Sequence, residues 1–153
     1  MFFYKFIASF FGIGYIGKGA GTVAAGFVCV LLYISVTYGL HSDVLLLFVT
    51  LLIFVIGTYV SGEVEKSWGK DSKRVVIDEV LGMTVSVLFL PINFKSLALG
   101  FVLFRFFDIA KPLYIRRLEN LEGGWGVMMD DVLAGVYSNI LLQVAGYFYY
   151  KSL

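Results

Sequence analysis

Seven charged side chains stand inside, or at the ends of, otherwise apolar stretches: Asp78 and Glu79 in VVIDEVLGM, Arg105, Asp108 and Lys111 in RFFDIAKP, and Asp130 and Asp131 in VMMDDVLAG. Where the surrounding solvent is lipid, an ionisable group is a functional candidate by default, because burying its charge is costly. Five of the seven are carboxylates, more than Arg105 and Lys111 neutralise, and crowded like charges rise in energy unless a cation intervenes. Magnesium suits such a set, since it takes a few carboxylates together with waters and phosphate oxygens. Asp78, Glu79, Asp108, Asp130 and Asp131 are therefore the candidate catalytic groups. Glu79 and Asp131 are the leading Mg2+ ligands, with Asp78 and Asp130 beside them. Helix neighbours point about 100° apart, so Asp78 and Glu79 are not expected to face one ion equally. Acids in a first helical turn also favour the helix dipole, and one or two of the five are expected to serve as caps or ion pairs.

The cations suggest an anionic substrate. Arg105, Asp108 and Lys111 recur every three residues and share one helix face. Arg105 can pair with Asp108, or offer its planar donor fork to a phosphate oxygen. The turn GIGYIGKGAGT leads into an apolar helix, where backbone amides with Lys18 and the Thr22 hydroxyl would cradle a phosphate. It is not a P-loop, because Gly19 follows Lys18. Arg116 and Arg117 suit anionic headgroups. Lys18, Thr22, Arg105, Lys111 and Arg116 thus form the candidate phosphate-binding set. The only histidine, His41, lies in a connection remote from the acids, and the only cysteine, Cys29, lies mid-segment with no arginine six residues on. Histidine and cysteine nucleophiles are thereby eliminated. Metal-activated water and an aspartate nucleophile remain.

The elements that must position these groups follow from composition. Apolar residues make up 59% of the 153 and charged residues 15%, well under the roughly 25% charged of soluble proteins. Five apolar segments, at 22–40, 44–60, 75–90, 94–110 and 127–150, approach the roughly 20 residues that cross a bilayer. Their unbroken runs exclude the alternation of a membrane barrel. Phe3, Phe6, Ile7 and Phe10 have helical spacing and predict a helix lying in the interface. The expected fold is all-α: a polytopic membrane helix bundle of about five transmembrane helices plus an N-terminal interfacial amphipathic helix, as one domain over 1–153. Gly82 and Gly135 follow the acids by three or four residues and should let helices approach closely. Residues 61–74 read as a solvated connection, with Glu63, Glu65 and Asp71 at the surface and Trp68 at the headgroups. Pro91 and Asn93 mark a tight turn. One cysteine excludes an intrachain disulfide, and a net charge of +1 without a basic patch argues against nucleic acid.

Orientation follows from basic residues in short loops. Lys5, Lys18, Lys66, Lys70, Lys73, Arg74, Lys111, Arg116 and Arg117 fall on one side, and Lys95 and Lys151 on the other, nine against two with Arg105 left out. The amino terminus is expected in the cytoplasm and the carboxyl terminus outside. All the charged segment ends then meet at the cytoplasmic face, which predicts one shared site.

The motifs GKGAGT, DEVLGM, RFFDIAKPLYIRRLE and GGWGVMMDDVLAG together resemble the phosphatidylglycerophosphatase A family over nearly the whole chain. The resemblance implies a magnesium-dependent enzyme of the bacterial cytoplasmic membrane that removes the terminal phosphate of phosphatidylglycerophosphate to give phosphatidylglycerol. It points to Asp78, Glu79, Arg105, Asp108, Lys111, Gly124, Asp130 and Asp131. Many relatives carry prolines before the Gly-Thr pair, where Gly17 and Ala20 stand here, so the lead-in turn should be looser. A CDP-alcohol phosphotransferase is the alternative enzyme, but that class concentrates four aspartates in two successive helices. A transporter would place charge at mid-membrane or along a pore. In a Cys29→Ala background, Ser72→Cys and Asn120→Cys should label only from the cytoplasm, and Ser42→Cys only from outside. Labelling of Ser42→Cys and Asn120→Cys from one side would overturn the five-crossing topology.

Overall fold

A computed structural model describes residues 1–70 and 72–151. The described residues form helices and turns with no strand: α1 (Phe2–Ala8), a 3-10 turn (Ile13–Ile16), α2 (Ala20–Thr37), α3 (Asp43–Trp68), α4 (Ile77–Ser86), α5 (Phe94–Ala110), α6 (Ile115–Leu118) and α7 (Gly124–Lys151). The α5 bounds match the expected segment, because both ends are written in side chains. Asn93 and Ser96 form a reciprocal capping box at its start. Lys111 turns left-handed at its end, with Pro112 next.

Two expected segments have different bounds. Residues 61–68, read as loop, continue α3 to a length of 26 residues. Their charges are compatible with helix: Lys66 pairs with Glu63 at 2.5 Å on the exposed face, while Ser61 and Val64 are buried. Asp71 lies outside the described residues. The segment at 75–90 is helical only over the 10 residues of α4, about 15 Å of rise against about 30 Å of hydrocarbon. Among the described residues three helices, α2, α3 and α7, are long and apolar enough to cross a membrane. Length therefore carries three crossings, with α5 just short at 17 residues. Outward-facing Phe27, Leu31, Phe48, Leu51 and Val55 are exposed, an apolar exterior suited to lipid.

The short α4 is the centre of the bundle, with seven of its ten residues buried. It crosses α7 where two glycines meet. A Cβ on Gly82 would stand 2.8 Å from the Asp131 carbonyl and strike the Phe104 ring, and one on Gly135 would strike the Gly82 carbonyl. Both positions thus require glycine for backbone contact. Helix α3 packs on α7 through Gly57 against Met128 and Gly62 against Gly124. The amino-terminal segment joins the bundle through Val76, whose N–H donates to the Ala8 carbonyl at 3.0 Å.

Helix α4 ends inside the bundle, where its last carbonyls lack intrahelical partners and water. Asn139 of α7 supplies the donors. Its Nδ2 reaches the carbonyls of Val85 (3.2 Å), Ser86 (3.2 Å) and Leu88 (2.9 Å), while Gln143 donates to its Oδ1 at 2.6 Å. Asn139→Leu should lower stability by about 1–3 kcal/mol, since it leaves these acceptors short of donors. Gly135→Leu should prevent the bundle from closing. Thermal unfolding in detergent checks both, and a wild-type transition for Asn139→Leu would show that α4 needs no side-chain cap.

Candidate active site at the converging helix ends

The amino-terminal ends of α4 and α7 meet the carboxyl-terminal end of α5 around a polar cavity of about 170 Å³. Asp78 and Glu79 lie in the first turn of α4. Gly126 and Val127 bring the start of α7 to the wall, and Asp130 and Asp131 follow one turn later. Helix α2 touches the site through Gly21, where a Cβ would land on the Glu79 carboxylate. Each helix amino terminus carries about half a positive charge, so these ends partly offset the clustered acids. At the opposite pole of α5, Arg105 and Lys111 complement a negative helix end.

Asp78, Glu79, Asp108, Lys111, Asp130 and Asp131 all line this cavity. Asp78, Glu79 and Asp131 each present an oxygen within 4.8 Å of the other two, a grouping that could hold a metal ion. Asp78 and Glu79 thus converge despite being adjacent in the helix. The oxygens Asp78 Oδ1, Glu79 Oε2 and Asp130 Oδ1 are buried without a hydrogen-bond partner. Buried oxygens of this kind are normally satisfied, so their donor chemistry fits a hard cation. Asp130 differs from Asp78, Glu79 and Asp131 because its Oδ2 accepts from Lys111 Nζ at 2.6 Å.

Both cations on the α5 stripe are engaged. Arg105 Nη1 donates to Asp108 Oδ2, while its Nε is buried without a partner. Lys111 takes a left-handed backbone, φ 45°, and its Nζ donates to Asp130 and to Glu119, each at 2.6 Å. Burial disfavours its charge, but the two carboxylates outweigh burial and raise its pKa above the ordinary lysine value. Lys18, Thr22 and Arg116 are exposed and line no part of this cavity. Lys18 sits between Gly17 and Gly19, both at positive φ, and the buried residue of the one-turn α6 is Ile115, which leaves Arg116 outward.

Three cavity residues escaped the sequence reading. Glu119 follows Lys111 by eight residues across a turn, a spacing with no helical meaning. Ser72 and Lys73 belong to the stretch read as a solvated connection. Their only sequence signal was the position of that stretch just before Asp78 and Glu79.

The fold and cavity define a helical membrane protein that gathers carboxylates and cations at one end of its bundle, the equipment of a metal-assisted phosphoryl hydrolase. Residues 6–146 match the family model of phosphatidylglycerophosphatase A, and the chain belongs to that family. It is accordingly a phosphatase. A Haemophilus influenzae phosphatidylglycerophosphatase A is 35% identical over 90% of this chain and 85% of its own. The Escherichia coli phosphatidylglycerophosphatase A is 39% identical over 65% of this chain and 59% of its own. A Bacteroides thetaiotaomicron protein, provisionally named a phosphatidylinositol-3-phosphatase, is 42% identical over 82% of this chain and 80% of its own. No solved structure matches the chain.

If Arg105 only neutralises Asp108, an Arg105→Leu/Asp108→Leu variant should fold and keep most activity, because a buried ion pair often contributes little net stability. If its guanidinium also reaches the transferring phosphate, Arg105→Lys should lose about 10²-fold in turnover, roughly 3 kcal/mol of barrier. The second outcome is expected, since Nε is left over from the pair with Asp108. Turnover of both variants, in protein shown to be folded by its thermal transition, decides between them.

Proposed function

We propose that this chain hydrolyses the terminal phosphate of phosphatidylglycerophosphate to give phosphatidylglycerol, using Mg2+, at the cytoplasmic face of the bacterial membrane. The carrying observation is the convergence of Asp78, Glu79 and Asp131 around unpartnered carboxylate oxygens. Family membership and the names of the two phosphatidylglycerophosphatase A relatives support the reaction and headgroup. They also favour hydrolysis over the CDP-alcohol transferase reading. The nine-to-two basic asymmetry supports the cytoplasmic face.

In this reading Glu79, Asp131 and Asp78 hold the metal. When bound, Mg2+ supplies positive charge against these carboxylates and the phosphoryl oxygens, for which two or three protein ligands leave room. Asp130 is held at one oxygen by Lys111, which leaves its buried Oδ1 to take the proton of the attacking water. Asp108 orients Arg105 so that the remaining guanidinium donors meet the phosphoryl oxygens. Glu119 steadies Lys111 from the other side.

Purified full-length protein should release inorganic phosphate from phosphatidylglycerophosphate with an absolute requirement for Mg2+. Glu79→Ala and Asp131→Ala should each lose about 10³-fold or more in turnover, the scale of removing a group that stabilises transition-state charge. Asp130→Asn should lose about 10²-fold or more, as expected for proton transfer, while metal affinity stays near wild type. Near-normal activity of Glu79→Ala or Asp131→Ala would remove that residue from the ligand set, and phosphate release undiminished by chelation would remove the metal.

A further inference from the structure

Charge accounting in the cavity leaves a gap that Lys73 fills. Arg105 is paired with Asp108, and Lys111 with both Asp130 and Glu119. Lys73 also lines the cavity, is exposed, and makes no ion pair among the described residues. With Ser72 it lies in the connection between α3 and α4 and lines the same cavity as the acids.

The Ser72–Lys73 turn is held firmly. The Val75 N–H donates to the Ser72 carbonyl at 2.9 Å, and the Val76 N–H to the Ala8 carbonyl at 3.0 Å. Val75 and Val76 are buried. The Arg74 guanidinium lies over Tyr15 and Trp68, at 6.0 and 5.8 Å from the ring centroids. Gly14 packs against the Arg74 carbonyl so closely that no side chain fits there. The amino-terminal segment and the end of α3 therefore clamp the turn from both sides. The backbone of the turn is therefore fixed, and only the lysine side chain has to be ordered on gripping a ligand.

The substrate class read above carries two anions. The phosphomonoester to be cleaved belongs among the carboxylates and their metal. The phosphodiester that joins the polyol to diacylglycerol follows a few bonds behind and would be repelled by the same acids. We infer that Ser72 and Lys73 form a subsite for this second anion, the phosphodiester of a diacylglycerol-phospho-polyol phosphate. A phosphodiester bears one negative charge, which suits a lysine's point charge without a bidentate fork. The inference rests on the phosphatase reading and deepens it, because a diester subsite selects for the architecture rather than for one polyol. Phosphatidylglycerophosphate and a phosphatidylinositol 3-phosphate, the lipids in the names of the relatives, both have that architecture.

The test uses full-length protein in mixed micelles with Mg2+, comparing wild type, Lys73→Ala and Lys73→Arg. Either lipid that wild type hydrolyses serves as substrate, so the wild-type rates on the two distinguish the polyols. Lys73→Ala should raise KM about tenfold, the scale of one charge-assisted hydrogen bond, with kcat within about twofold. Phosphatidylglycerol keeps the diester and lacks the terminal phosphate, so its inhibition constant should rise by a similar factor. Phosphatidic acid has only a monoester, so its inhibition constant should stay at the wild-type value. Lys73→Arg should restore most of the loss. Equal weakening of both inhibitors, unchanged constants for both, or a fall in kcat alone would overturn the subsite. Failure of wild type to release phosphate from either substrate would instead overturn the phosphatase reading.

Discussion

The crossing of α4 and α7 is the contact on which the rest of the structure depends. Gly82 and Gly135 let the two backbones touch, and that contact sets Asp78 and Glu79 of one helix beside Asp131 of the other. Three carboxylates so close together repel one another in a medium of low dielectric constant. Packing energy from the core around Val80, Leu81, Met83 and Phe104 has to hold them there. The bundle is therefore built to keep in place a cluster that electrostatics alone would disperse.

The remaining charges are arranged so that few of them are left alone. The amino terminus of α4 carries Asp78 and Glu79 in its first turn, while Arg105 and Lys111 mark the opposite pole of α5. Lys111 shows how the arrangement is reached: a left-handed residue at a helix end costs conformational energy, but it swings the ammonium between Glu119 and Asp130. Pairing at this position fixes one oxygen of Asp130 and leaves the other available. The acids thus fall into three groups, the trio, the arginine-paired Asp108, and the lysine-held Asp130 and Glu119, even though Asp130 and Asp131 are adjacent in the chain.

Much of this was legible from residue types, because periodicity and charge are local properties. The α5 segment and the gathering of six of the charged groups at one end follow from where apolar runs start and stop. The close approach at Gly82 and Gly135 was legible for the same reason. What the sequence hid was relational. The pairing of Lys111 with Glu119 spans a turn that has no fixed period. The helical continuation through 61–68 was masked by charges that also suit a helix exterior. The shortness of α4 was hidden because 75–90 stays apolar past Ser86, and hydropathy reports burial rather than conformation. Lys18, Thr22 and Arg116, grouped with the phosphate-binding residues by chemistry, are exposed and stand outside the cavity lining.

The half-length of α4 explains one further pattern. A helix that begins at the polar end and stops inside the bundle needs different help at its two ends: partners for the groups at its start, and donors for its last carbonyls. Helix α7 provides both from a single face, because Asp131, Gly135 and Asn139 recur every four residues and so lie on one stripe. The stripe reads along α4 in order. Asp131 meets the acids in its first turn, Gly135 meets Gly82 at the crossing, and Asn139 bonds the carbonyls of Val85, Ser86 and Leu88 at its end. An apolar residue at 139 would leave the Ser86 and Leu88 carbonyls short of donors and Val85 with only the Leu88 N–H, and a larger residue at 135 would separate the acids from one another. The depth at which α4 stops and the position of the carboxylate trio are thus set by the same face of α7, so the amide that ends α4 belongs to the architecture of the site although it lies two turns from it.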